Sequence, residues 1–215
     1  MGTLMKERIF FSLGNLWILS FSIFSTFILS IPLFYFDISW ENLTKISGLS
    51  SETLMKNYNI LISYLLNPFK SHLKMPDFPS SLSALEHFAQ VKWLFLLVIL
   101  LTIILFYFFI LWLKDYLYIY FYQDLIVLVS LPIVFILFTL LIGFDNFFIF
   151  FHKIFFRDDS WLFNPLTDPV INVLTENFFM YCFIIFLFIY ELVFLFFIIK
   201  GRKRLKNGTK KKVQA

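Results

Sequence analysis

Apolar residues run along this chain in four long blocks, at about 9–36, 93–113, 125–144 and 178–199. Each reaches the roughly 20 residues that a helix needs to cross a bilayer's hydrocarbon. The first is longer than a span requires and continues through Pro32, so the pattern predicts a tilted helix or one that extends past the membrane. It has a long apolar stretch and no small-residue cleavage site close behind, which predicts a retained helix rather than a removed signal peptide.

Polar and apolar positions alternate with helical spacing between the blocks. In "SSETLMKNYNILISYLL", Leu54, Tyr58, Leu61, Ile62 and Leu65 recur at three- and four-residue steps behind serines that can cap a helix. That predicts an amphipathic helix lying on the membrane or on the bundle, ended by Pro68. "KMPDFPSS" follows as an extended stretch, because Pro76 and Pro79 each disfavour a helical residue before them. Ser83 and Glu86 match a capping box. The helix it predicts runs through His87 and Lys92 into the second block and places His87 in its first turn. A helix N-terminus disfavours a cation, so this imidazole is expected to be neutral near pH 7.

The second connecting segment contains "FFHKIFFRDDSWLF", too short and too charged to cross, yet greasier than a water-facing loop. As a helix over 144–156, it carries Asp145 and His152 on one face, seven residues and about 10 Å apart, so they cannot bond directly. The other faces are Phe and Ile, the pattern of an interfacial helix with one polar stripe. "NPLTDP" then supplies two proline turns.

Charge orients the pattern. The tail "KGRKRLKNGTKKKVQA" holds eight basic residues and no acid, and Lys6 and Arg8 lie near the start. The segment 144–177 holds only Lys153 and Arg157 against five acids. By the positive-inside rule both ends are expected in the cytoplasm, and 37–92 and 145–177 outside. The predicted fold is an all-α membrane protein, a single integral domain over 1–215. It has four transmembrane helices, two extracytoplasmic segments containing interfacial helices, and a basic cytoplasmic tail at 200–215.

Composition strengthens this and narrows the function. Of 215 residues 60% are hydrophobic and 33 are phenylalanine, more apolar surface than a core of this size can hide from water. The net charge of +4 is almost all tail, where it anchors topology and touches anionic headgroups rather than reading nucleic acid. One cysteine, Cys182, excludes a disulfide framework or a zinc-finger spacing. No HxxxH or HxH pair, nucleophile elbow, P-loop or dinucleotide fingerprint is present, so neither metal nor cofactor is implied. Glu191 is the one carboxylate well inside a block. A transporter would need more polar groups there.

What remains are His87 and His152, expected on the same side of the membrane at similar depth, with His72 in a polar loop. Alone, each imidazole reads as an interfacial residue with its tip among headgroups. Converging in an apolar setting, the pair reads as acid/base chemistry for acyl transfer at the membrane surface. A non-enzymatic protein that binds lipids or lipoproteins fits the same pattern.

"LMKNYNILISYL" (54–65), "MPDFPSS" (75–81), "HFAQVKWLF" (87–95) and "FHKIFFRDDSWLFNPLTDPVINVLTENFFM" (151–180) resemble, in order and spacing, the bacterial integral membrane family of lipoprotein intramolecular transacylases. The resemblance implies a substrate whose N-terminal cysteine carries a thioether-linked diacylglyceryl group. It also implies transfer of the sn-2 acyl chain to the cysteine α-amine, giving a lyso-form lipoprotein. The partners it implies are diacylated lipoproteins and membrane lipids, without a cofactor. It places the two family histidines at His87 and His152, with Asp168, Asn59 and Tyr58 as supporting or substrate-positioning groups. Gln90 stands where the family usually carries an acid, and Lys153 where a second histidine is common.

Overall fold

The computed structural model describes residues 2–213, with side chains over 3–207. Eight α-helices and one short 3₁₀ turn make up its regular structure, with no strand among the described residues. In order they are α1 (Gly2–Trp40), α2 (Leu43–Ser47), α3 (Ser51–Leu66), α4 (Leu82–Lys114), α5 (Leu117–Tyr120), α6 (Tyr122–Ile142), α7 (Phe144–Phe155), the 3₁₀ turn Pro169–Asn172, and α8 (Glu176–Val213). The helices α1, α4, α6 and α8 are long and apolar enough to cross a membrane. Within the chain, only 6% of the apolar window of α4 and 11% of that of α6 is buried, so lipid rather than protein must cover these surfaces. The protein is a multi-pass, all-α membrane protein.

The chain forms two compact units, each assembled from separated segments. One comprises residues 1–23, 100–141 and 186–215. Its core gathers Phe11, Trp17, Ile18, Trp112, Tyr118 and Phe194. Trp112 is fully buried, and α1 approaches it so closely at Gly14 that a Cβ there would lie 2.6 Å from the indole.

The other unit comprises residues 24–99 and 142–185 and contains both histidines singled out above. Its core is built on α3. Ser50, in an extended conformation, accepts a hydrogen bond from the Thr53 amide at 3.2 Å and starts the helix. Leu54, Tyr58, Leu61, Ile62 and Leu65 are all buried on one face, as their spacing predicts. They pack with Leu33 and Phe34 of α1, Phe88 of α4 and Val170 of the 3₁₀ turn. Asn57 ties the extended stretch to α3, donating to Asp77 Oδ2 at 2.7 Å and accepting from the Asp77 amide at 3.3 Å.

α1 continues through Pro32 to Trp40, past the apolar block, which is one of the two outcomes its length predicts. Two other boundaries differ from expectation. α6 stops at Ile142, not 144, because Gly143 adopts φ 81°, ψ 151° and turns the chain into α7. The N-cap of α4 is Ser81 rather than Ser83, with Ser81 Oγ accepting from the Ala84 amide at 3.1 Å. The reason is tertiary. Asp168 accepts from both the amide and the hydroxyl of Ser81, at 2.6 and 3.1 Å, and holds that residue at the start of the helix. His87 therefore lies beyond the first turn of α4, where the helix terminus acts weakly.

Candidate active site

His87 and Gln90 lie three residues apart on α4, in the stretch that precedes the crossing apolar run at Trp93, and so share one face. His152 comes from α7, a helix with Asp145 in its first turn and phenylalanines around most of its circumference. The chain then leaves α7 through extended Phe156 and folds back, so that Phe156, Trp161 and Phe163 close over the imidazoles.

The two imidazoles meet. Their ring centroids are 5.8 Å apart. Phe156 presents an edge to His87 at 4.6 Å, and Phe163 does so at 5.6 Å. Trp161 stacks on His152 at 4.9 Å, and Phe148 lies against it at 4.2 Å.

His152 Nδ1 lies 2.7 Å from the Phe148 carbonyl oxygen. A carbonyl only accepts, so the neutral ring carries its proton on Nδ1 and leaves the Nε2 lone pair free. Burial lowers the His152 pKa, and the Phe148 hydrogen bond opposes this in part. His87 is only 8% exposed, and its Nδ1 has no hydrogen-bond partner. Burial, then the neighbouring His152, lower its pKa to about 4, against an opposing pull from Asp158. Both rings are therefore neutral at pH 7. For His87 the cause is desolvation, not the helix N-terminus invoked from sequence.

The supporting candidates fall in different places. Asp168 is buried and bonds Ser81 and Thr167, so it sets the start of the helix that carries His87. Tyr58 is buried in the core, where its hydroxyl donates to Ser30 Oγ at 2.7 Å and its ring stacks on Phe34 at 4.2 Å. Asn59 is exposed on α3 and lines an open groove with Lys56, Ser63 and Lys70. Neither Tyr58 nor Asn59 contacts an imidazole. Among the described residues, no three His, Cys, Asp or Glu side chains are grouped so as to hold a metal ion.

Sequence reasoning missed Asp158. It accepts from Gln90 Nε2 at 2.7 Å and from the Ser160 amide at 3.0 Å. The nearby Ser160 hydroxyl, then the Ser160 and Gln90 amides, hold its carboxyl below the usual carboxylate range. Of these only the two amides have hydrogen-bonding geometry, since the buried Ser160 Oγ reaches no partner. A carboxylate is thus delivered to Gln90, one helical turn from His87, from 68 residues along the chain. The available signal was Gln90 itself, a neutral donor standing where the resembling family has an acid.

The family model of the lipoprotein intramolecular transacylase Lit matches residues 8–179. The chain is also similar to the solved structure of the membrane integral lipoprotein intramolecular transacylase Lit from Bacillus cereus. That similarity has a TM-score of 0.78 and 25% identity over 100% of both chains. A form of the Bacillus cereus protein with one histidine changed to alanine matches with a TM-score of 0.70 and 25% identity, over 97% of each chain. A form with that histidine changed to arginine matches in fold, with a TM-score of 0.75 and 24% identity over 99% of this chain and 96% of the other. No curated protein matches the chain. With the family model covering most of its length and the whole fold shared, the chain belongs to the lipoprotein intramolecular transacylase family of membrane acyltransferases.

Proposed function

We propose that this protein moves the sn-2 acyl chain of a diacylglyceryl-cysteine lipoprotein to the α-amine of the same cysteine, leaving a lyso-form lipoprotein. The observation that carries this reading is the pair of neutral imidazoles facing each other across 5.8 Å inside an aromatic enclosure. An amide is more stable than an ester, so the transfer runs downhill without ATP or acyl-CoA. The substrate carries both nucleophile and acyl donor. The protein has to orient them and move protons.

In this mechanism the free Nε2 of His152 takes a proton from the amine as its nitrogen attacks the ester carbonyl. His87, still neutral, donates a hydrogen bond to the carbonyl oxygen or to the leaving glyceryl oxygen. The carbon–oxygen bond to glycerol then breaks, and the proton held by His152 ends on that oxygen. Overall one amide forms, one ester is lost and one hydroxyl appears, with no other reactant. Phe148, Phe156 and Phe163 exclude water, which would otherwise hydrolyse the ester. Asp168 keeps the α4 end in place, Tyr58 keeps the core in place, and Asn59 is available to the substrate's peptide portion.

The basic tail assigns both termini to the cytoplasm and residues 37–92 and 145–177 to the outer face. There the histidines lie level with an ester just inside the headgroups. Mass spectrometry of a lipoprotein N-terminus, with and without the protein, tests the reaction. The expected result is one acyl chain moved from glycerol to nitrogen; an unchanged N-terminus leaves only a lipid-binding protein. His152→Ala and His87→Ala should each lower the rate about 10²–10⁴-fold while the protein remains folded. A variant that converts substrate at the full rate removes that histidine from the mechanism.

A further inference from the structure

A carboxylate can only accept hydrogen bonds, so the 2.7 Å contact with Asp158 obliges Gln90 to turn its amide nitrogen towards Oδ2. The amide oxygen then faces the other way, and Gln90 Oε1 is buried with no donor in reach. One turn back on the same face of α4 lies His87, 92% buried on its 8% exposure, with Nδ1 also unpartnered. A neutral imidazole can present that nitrogen as an acceptor. Buried polar atoms normally have partners, yet here two lie within one helical turn, beside an ionised carboxylate. The groups acting on Asp158 are Ser160, Gln90 and His87, none of them a cation at neutral pH.

An amide oxygen, an imidazole nitrogen and a carboxylate together ask for a small group with several N–H donors and a positive charge. A hydroxyl has one donor and no charge. A metal ion would want more anionic ligands than this cluster offers. A primary ammonium has three N–H donors and a unit charge, and it is small enough for a site walled by Phe156 and Phe163.

We propose that His87, Gln90 and Asp158 form the subsite for the substrate's α-ammonium group and hold it next to the histidine pair before transfer. This rests on the transacylase reading and adds to it where the nucleophile waits. Charge-assisted contacts to Asp158 hold the group during docking. The ammonium then gives one proton to His152, which releases it to water before attack, so both imidazoles are neutral again for the transfer and the reaction as a whole releases one proton.

The test separates binding from turnover by using a dialkyl ether analogue of diacylglyceryl-cysteine peptide, which has no ester to transfer. Its affinity for the detergent-solubilised full-length protein is compared with that of the same analogue lacking the α-amino group. The wild type should bind the amine form at least about tenfold more tightly. Asp158→Asn should erase the difference, and the double variant D158N/Q90E, which moves the carboxylate across the same hydrogen bond, should restore it. Thermal melts identify variants that have lost the fold, and the rescue shows that charge rather than loop structure is being read. Equal affinities in the wild type, or a preference that survives D158N, overturn the subsite. Mass spectrometry on the ester substrate is read independently. Missing transfer there sinks the transacylase reading, whereas intact transfer without an amine preference sinks only the subsite.

Discussion

Replacing Asp168 with alanine isolates the contact that fixes the helix carrying His87. Asp168 is 3% exposed and accepts from the Ser81 amide at 2.6 Å, the Ser81 hydroxyl at 3.1 Å and the Thr167 hydroxyl at 2.7 Å. Ser81 in turn caps α4 through the Ala84 amide. The alanine variant strands the half-buried Ser81 amide, at about 1 kcal/mol, the low end for a donor left without a partner. It also loosens the cap, worth about 1 kcal/mol. Together these give roughly 2 kcal/mol of lost stability, by the same two contributions. Burial pushes the Asp168 carboxyl up, but hydrogen bonds from Ser81 and Thr167 outweigh it and leave the pKa below the usual value. A carboxyl with a depressed folded pKa stabilises above its unfolded pKa, and this is lost as pH falls through the folded one. The difference between wild type and Asp168→Ala should therefore be full at neutral pH and shrink in strong acid, below about pH 4. Equilibrium unfolding in detergent at pH 7 and pH 3 reads both effects, and a cycle with Ser81→Ala should be non-additive through the hydroxyl bond and the cap that the two residues share, while the Ser81 amide contact survives in the alanine single variant. A loss under about 0.5 kcal/mol at pH 7, within ordinary surface-mutation scatter, or an additive cycle, would refute this account of how α4 starts.

The histidines predict a pH profile of their own. Both folded pKa values lie below the ordinary 6.5, that of His87 at about 4, so the neutral rings persist as pH is lowered through 6.5. With the imidazole proton resonances of the full-length protein followed from pH 8 down to 4, both rings should titrate below 6.5, and a half-point at 6.5 or above for either would contradict the buried, neutral pair. Stability should meanwhile decline as pH falls from about 6.5 towards 4, because the unfolded imidazoles take up protons there and the folded ones do not. Gly143→Ala should cost about 1–3 kcal/mol through backbone strain alone, since φ 81°, ψ 151° suits only glycine and a Cβ there meets nothing within 4 Å. Gly48, at φ 71° and ψ 7°, lies in the left-handed region that asparagine tolerates. Thermal melts should therefore show Gly48→Asn close to wild type and Gly143→Asn clearly below it, and equal melting temperatures would refute the distinction.

Much of the architecture was legible along the chain because the bilayer turns composition into structure. Lipid cannot satisfy backbone groups, so an apolar block of 20 residues becomes a helix whatever surrounds it. The periodicity of Leu54, Tyr58, Leu61, Ile62 and Leu65 likewise named the face that α3 buries. Local rules did less well where distant residues competed. The capping box at Ser83 and Glu86 is a sound local pattern, yet α4 starts at Leu82 because a carboxylate 87 residues away holds Ser81.

The site divides along the same line. Sequence alone determined four apolar helices, two amphipathic connecting segments and two histidines bordering apolar surface, since each follows from residues near one another in the chain. Only the tertiary structure decided that the two imidazoles lie 5.8 Å apart, that burial rather than a helix terminus keeps them neutral, and that Asp158 reaches Gln90. Those properties arise between segments 65 to 68 residues apart. Short-range pattern carries no information about such pairings. Desolvation, which sets the protonation of both rings, exists only once the distant aromatic residues have closed over them.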